Sequence, residues 1–134
     1  MIKYKLDNED GLNLDDLIGY IAIDDRANII ELKDTYIDSF LESLLEGVTN
    51  VHKSKKISIE LIEEPGALEM NLIGSTLTIM YQDRSVSFNF DDLIIELKKT
   101  IKKFLDKIDD SKVDGKNSSV ANSISNIKRY LNEL

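Results

Sequence analysis

The clearest periodicity lies in the middle of the chain, where Ile57, Ile59 and Leu61 alternate with Ser58 and Glu60. Alternation at period two sends successive side chains to opposite sides of an extended backbone, so this stretch predicts a half-buried strand. Glu63-Glu64-Pro65-Gly66 follows, with Pro preset for the second position of a type II turn and Gly suited to the third. The alternation resumes at Leu68, Met70 and Leu72 and turns at Gly74-Ser75, a Gly-first pair suited to a type II′ hairpin. It returns through Leu77, Ile79 and Tyr81, and after Gln82 to Arg84 a fourth run sets Val86, Phe88 and Phe90 against Ser85, Ser87 and Asn89. Together these runs predict an antiparallel meander with one apolar face that must be covered.

Two segments at helical spacing predict the cover. The first starts near Thr35, where Thr35 and Asp38 have capping-box spacing, and is expected to end before Gly47. Its apolar stripe is Tyr36, Ile37, Phe40, Leu41, Leu44, Leu45 and Val48, with Asp38, Glu42 and Glu46 repeating every four residues on the other side. The second runs from Asp91 or Asp92 to about Ile108 and buries Leu93, Leu97, Ile101, Phe104, Leu105 and Ile108. Acids at its start and Lys98, Lys99, Lys102, Lys103 and Lys107 later match the helix dipole, and these lysines read as its solvated face.

Ahead of these, Ile2, Tyr4 and Leu6 predict a strand, as do Leu17 to Ile23 and Ile29 to Leu32, with turns at Asp7 to Gly11 and Asp24 to Asn28. Residues 109–118, polar and Gly-containing, read as a connection to a last helix, capped by Ser118 or Ser119, with Val120, Ile124, Ile127, Leu131 and Leu134 on one stripe. That stripe has coiled-coil spacing, but little more than two heptads is short for one, and packing onto its own domain is the expectation. The predicted fold is α+β. An antiparallel sheet, a meander of four strands plus the N-terminal strands, carries helices mainly on one face. Residues 1–108 form the domain, 109–118 a flexible connection and 119–134 the C-terminal helix, in a single domain overall.

At 134 residues, with 42% hydrophobic and 31% charged, the chain can bury a sizeable core without disulfides or a structural metal. Having no Cys, it has neither thiol chemistry nor thiolate metal sites, and its single His removes most familiar catalytic sets. The start, MIKYKLDNED, has no apolar or Arg-rich leader, and no apolar run is long enough to span a membrane, so the expected location is cytoplasmic.

Charge changes the picture more than composition does. The net charge is −8, and all of it lies in residues 1–50, which hold 4 Lys and Arg against 12 Asp and Glu, whereas residues 51–134 hold 13 of each. An acidic chain repels phosphate backbones and anionic lipid, so neither nucleic acid nor membrane is an expected partner. Such asymmetry points to a protein partner met electrostatically, and the candidate binding residues are Asp7, Glu9, Asp10, Asp15, Asp16, Asp24 and Asp25. A surplus of carboxylate that serves solubility is the plainer alternative.

Tests for chemistry come out negative. Acids surround Gly11, but with Gly11 at the sixth position of a calcium loop the first and twelfth positions would be Leu6 and Leu17. His52 lies in the basic stretch Asn50 to Lys56, read as a surface connection, and there is no nucleophile elbow, phosphate loop or dinucleotide fingerprint. No catalytic residue, cofactor or metal site is therefore expected.

The run from Asp34 to Gly47 (DTYIDSFLESLLEG), then Ile57 to Ile62, Glu63-Glu64-Pro65 and the Val86 to Leu105 strand and helix, resembles small bacterial proteins, some of which are similar to immunity proteins of polymorphic toxin systems. The resemblance covers residues 15–108 in style and carries no functional residue across. It implies a non-catalytic inhibitor that neutralises a toxin through an acidic surface, acting as monomer or homodimer. The alternative is a small enzyme or ligand-binding domain using carboxylates in a sheet-helix pocket.

Overall fold

The computed structural model describes residues 1–7, 17–110 and 118–134. The fold is α+β, as the periodicity implies, but the strands divide into two antiparallel sheets. Strands β1 (Ile2–Leu6), β2 (Ile18–Asp24) and β3 (Ile29–Tyr36) form a three-stranded sheet in that order. After helix α1 (Ile37–Ser54), strands β4 (Lys56–Glu60), β5 (Ala67–Ile73), β6 (Thr76–Tyr81) and β7 (Arg84–Asn89) form the meander. Helices α2 (Phe90–Asp110) and α3 (Ser118–Glu133) complete the order.

The meander follows the sequence pattern closely. Ile57 pairs with Met70, Met70 with Ile79 and Ile79 with Val86, so the alternating apolar residues share one face. Gly66 and Gly74 take positive φ, and Ser75 does not, which is the arrangement of a type II′ hairpin at Gly74-Ser75. In the three-stranded sheet, β3 runs four residues past its expected end. A bulge makes this possible: Gly19 pairs with Thr35 but Ile21 with Leu32, leaving Lys33 and Asp34 opposite Tyr20, with Asp34 at φ +52. The extra residue resets the alternation, so Ile30, Leu32 and then Thr35 are buried.

Helix α1 departs from expectation at both ends. Thr35 belongs to β3, and Tyr36 occupies the N-cap without a side-chain hydrogen bond, so the chain passes from strand to helix with no intervening turn. Gly47 does not stop the helix, which continues to Ser54. A Cβ there would lie 2.5 Å from Met70 Cε, so Gly47 marks a close approach of α1 to β5. His52 is therefore in the last helical turn, not in a loop, with its ring stacked on Phe90 at 6.1 Å between centroids.

Helix α1 packs on strands of both sheets, and α2 begins beside β7 and reaches β1, where Phe104 meets Tyr4 edge to face. Helix α2 starts at Phe90, ahead of Asp91 or Asp92, so Phe90 is helical and not the last residue of the fourth strand; Asn89 Oδ1 accepts the Asp92 N–H and caps the helix there. Helix α3 lies along α1 and touches α2, burying Val120, Ile124 and Ile127, while Leu131 and Leu134 are partly covered.

Gly19 is the tightest point of the three-stranded sheet, because a Cβ there would sit 2.0 Å from the Lys5 carbonyl oxygen. Backbone cannot retreat as a flexible side chain can. Gly19→Ala should cost about 1–3 kcal/mol, by analogy with overpacking, read as a lowered denaturant midpoint with unchanged helical circular dichroism.

Candidate functional site

The candidate acids do not form one patch. Asp7 follows β1 and stands opposite Ile18, whereas Asp24 and Asp25 lie at the other end of β2, where the Asp24 N–H donates to the Met1 carbonyl. The length of β2, roughly 20 Å, separates the two groups. Glu9, Asp10, Asp15 and Asp16, with the acid-rich turn around Gly11, lie outside the described residues. Asp7 and Leu17, which bracket that stretch, both sit at the Ile18 end, and so does Asp34, exposed at the bulge. Asp34 lies beyond the expected end of β3, where unbroken alternation from Leu32 would turn it inward; the bulge leaves it exposed.

Asp24 and Asp25 are occupied within the fold. Asp24 Oδ1 accepts the Arg26 N–H at 2.6 Å, and Asp25 Oδ1 accepts the N–H groups of Ala27 and Asn28 at 2.9 and 2.6 Å. Asp25 Oδ2 accepts the Ser87 N–H at 2.9 Å, crossing from the β2–β3 turn to β7. With Arg84 reaching the Ile29 carbonyl at 3.4 Å, this bond ties the two sheets where β3 meets β7. The Ser87 amide, followed by the turn amides, holds the Asp25 carboxyl below the usual carboxylate range.

Asp38 is the most deeply placed carboxylate of the described residues, 4% exposed, although its spacing with Glu42 and Glu46 had suggested a solvated face. Helix α3 covers that face. Asn126 Nδ2 donates to Glu42 Oε1 at 2.6 Å, and Ser123 sits within hydrogen-bonding reach of Asp38. Burial raises the Asp38 pKa above its ordinary value, against the opposing effect of the Ser123 hydroxyl and the Ser39 amide, and Asp38 Oδ1 has no partner. A buried, proton-hungry carboxyl is what a general acid requires, but this one is engaged in the contact of α1 with α3.

An open groove of about 410 Å³ lies on the meander, lined by Lys56, Ile57, Ser58, Glu69, Met70, Asn71 and Met80. Apart from the buried Met70, its side chains are exposed or half-exposed and mixed in charge. The remaining displaced proton affinities have local causes elsewhere. Tyr20 is raised because its hydroxyl donates to Glu31 at 2.8 Å, and Tyr81 by burial, its hydroxyl donating to the Pro65 carbonyl. Among the described residues no group of His, Asp and Glu is disposed to hold a metal, and no helix is long and apolar enough to cross a membrane.

Two outcomes follow. In Asp25→Asn the turn can keep its Oδ1 acceptor, but the Ser87 N–H would face an amide NH₂ group. Hydrogen exchange at Ser87 should accelerate while that at Ala27 stays protected, with about 1 kcal/mol lost. For Asp38 the folded-state pKa is raised, so the native state binds the proton more tightly than the unfolded chain does. Its contribution to stability is then most favourable at or below the ordinary carboxylate pKa and declines as pH rises through the raised value. Asp38→Asn should remove that decline and be more stable than the parent at pH 7, by on the order of 1 kcal/mol, because it removes a charge that burial disfavours. Denaturant midpoints of both proteins, followed from about pH 4, near the ordinary Asp pKa, up to neutral pH, would check the sign.

No family model, curated protein or solved structure matches the chain.

Proposed function

We propose that the chain is a non-catalytic protein-binding domain whose partner is a basic protein, with inhibition of a bacterial toxin in the cytoplasm as the specific reading. The observation that carries it is the charge distribution: the whole net charge of −8 belongs to residues 1–50, while the rest of the chain balances. The Ile18 end of the three-stranded sheet supports a docking end there. Asp7 and Asp34 are exposed at that end, and the chain that leaves Asp7 and returns at Leu17 carries Glu9, Asp10, Asp15 and Asp16. An inhibitor of this kind needs no bond-making groups. It needs a surface whose field complements a phosphate-binding cleft and that excludes the nucleic acid from it.

Asp24 and Asp25 have a different part in this reading. Their oxygens accept backbone amides of the β2–β3 turn and of β7, so neutralising them would disturb the fold as well as the field. The docking set is therefore Asp7, Glu9, Asp10, Asp15, Asp16 and Asp34.

The test pairs a cellular readout with a physical one. The toxin reading expects a toxin-domain protein encoded immediately upstream whose toxicity is relieved by co-expression of this chain; absence of such a neighbour, or of rescue, would sink it. In binding kinetics, changing Asp7, Asp10, Asp15, Asp16 and Asp34 to Asn and Glu9 to Gln should slow association about tenfold at low salt. Changing Glu63, Glu64 and Glu69 to Gln should slow it much less. Added salt should slow the parent, because exposed charges are screened beyond roughly 8 Å at physiological ionic strength. Equal effects of the two sets would make the charge asymmetry a solubility feature.

A further inference from the structure

The meander ends on an open edge. Strand β4 pairs with β5 on one side, and in that antiparallel ladder alternate residues turn their N–H and C=O toward the partner. The phase is set by two bonds at its flanks, Leu72 N–H to the Lys55 carbonyl at 2.7 Å and Leu61 N–H to the Gly66 carbonyl at 3.1 Å. Ile57 and Ile59, opposite Met70 and Leu68, share that phase and face β5. The backbone groups of Lys56, Ser58 and Glu60 therefore point away from the sheet, and among the described residues nothing meets them.

An open edge is normally blunted against pairing by shortness, charged side chains, a bulge, an inward charge or a covering segment. Among the described residues β4 has no bulge and no inward charge, and its two charges, Lys56 and Glu60, are of opposite sign, so a second copy of the same strand can meet both. The strand is regular over all five residues, its charged side chains are on the outer face, and Ile57 and Ile59 on the inner face are only half-buried. Its charges also lack opposite partners directly across the ladder, since Lys56 stands opposite Asn71 and Glu60 opposite Ala67.

We propose that β4 is a self-pairing edge: two copies of the chain join their meanders through antiparallel β4 strands about a two-fold axis at Ser58. In this register Lys56 lies opposite Glu60 of the second copy, Ser58 opposite its own equivalent, and Glu60 opposite Lys56 of the second copy. The residues whose backbone groups are free become the hydrogen-bonded pairs, giving about six bonds between strands. On the inner face, Ile57 meets Ile59 of the second copy at a non-hydrogen-bonded position, where cross-strand side chains are closest, and the half-exposed isoleucines cover one another. Moving the register by two residues sets Ser58 against a charge, and parallel pairing sets Lys56 against Lys56. Among these arrangements, the two-fold at Ser58 satisfies both charges and both isoleucines. It leaves the acidic end of the other sheet uninvolved and does not depend on the docking function proposed above.

Five residues of strand make a small contact, below the roughly 1,000 Å² of a tight interface, so the dimer belongs at high protein concentration. Sedimentation equilibrium of the full chain, from about 1 μM to about 1 mM, should show reversible monomer–dimer exchange. Lys56→Glu and Glu60→Lys alone each set like charges opposite one another twice and should weaken the dimer at least tenfold. The double variant K56E/E60K restores opposite charges and should restore the dimer. Ser58→Pro removes an outward N–H that β5 does not use, and should yield a monomer with the parent's circular dichroism. If that variant fails to fold, the charge swap on exposed side chains still decides. A monomer throughout the concentration range, a dimer indifferent to both charge reversals, or a double variant that stays monomeric would each overturn the proposal.

Discussion

Burial of α1 on three sides is the interaction on which the rest of the structure depends. Its apolar residues Ile37, Phe40, Leu41, Leu44, Leu45, Val48 and Val51 are all 3% exposed or less, and they fall on strands of both sheets. Each such side chain contributes roughly 1.5–3 kcal/mol on leaving water, before chain entropy is counted. The two sheets are separate ladders, and among the described residues β3 approaches β7 through side chains on backbone groups rather than a ladder. The helix is what makes two small sheets share one core. That also explains its entry: passing from Tyr36 into Ile37 without a turn, with the Ile37 N–H on the Leu17 carbonyl, fixes its direction to the sheet it leaves.

The carboxylates of the first fifty residues do two kinds of work. Asp24, Asp25, Glu31, Asp38 and Glu42 meet internal donors, a tyrosine hydroxyl or a helix contact, and their charge is partly spent in holding the fold. Asp7 and Asp34 face solvent. A formal charge therefore overstates the field offered to a partner: Asp24 and Asp25 are spent at the far end of β2, and Asp38 is buried close to the Ile18 end itself.

Periodicity made the meander legible in the sequence, because every strand there has one apolar face and two of its three turns are written in Gly, Pro and Ser, the third being Gln82-Asp83. What escaped it was what lies beyond one element. Gly47 has the composition of a helix stop, and only the nearness of Met70 shows why it lies inside the helix. Asp38, Glu42 and Glu46 repeat like a solvated face, and the small polar Ser123 and Asn126 beside the stripe of α3 were the one hint that another helix lies on it. The division into two sheets depends on which edges meet, a long-range matter on which alternation is silent. Of the candidate site, charge could be counted but not apportioned, since no sequence pattern tells a carboxylate that accepts the Ser87 amide from one that faces water.

The seating of α3 on α1 sets an order of events in biosynthesis. Strands β4 to β7 and α2 are built from neighbours in sequence, and such local contacts form early. The side of α1 that holds Asp38 and Glu42, by contrast, waits for Ser123 and Asn126, more than eighty residues downstream. Until residues 118–134 have left the ribosome, the apolar strip that Val120, Ile124 and Ile127 occupy stands open on an otherwise assembled nascent chain, where a holding chaperone or another nascent copy can reach it.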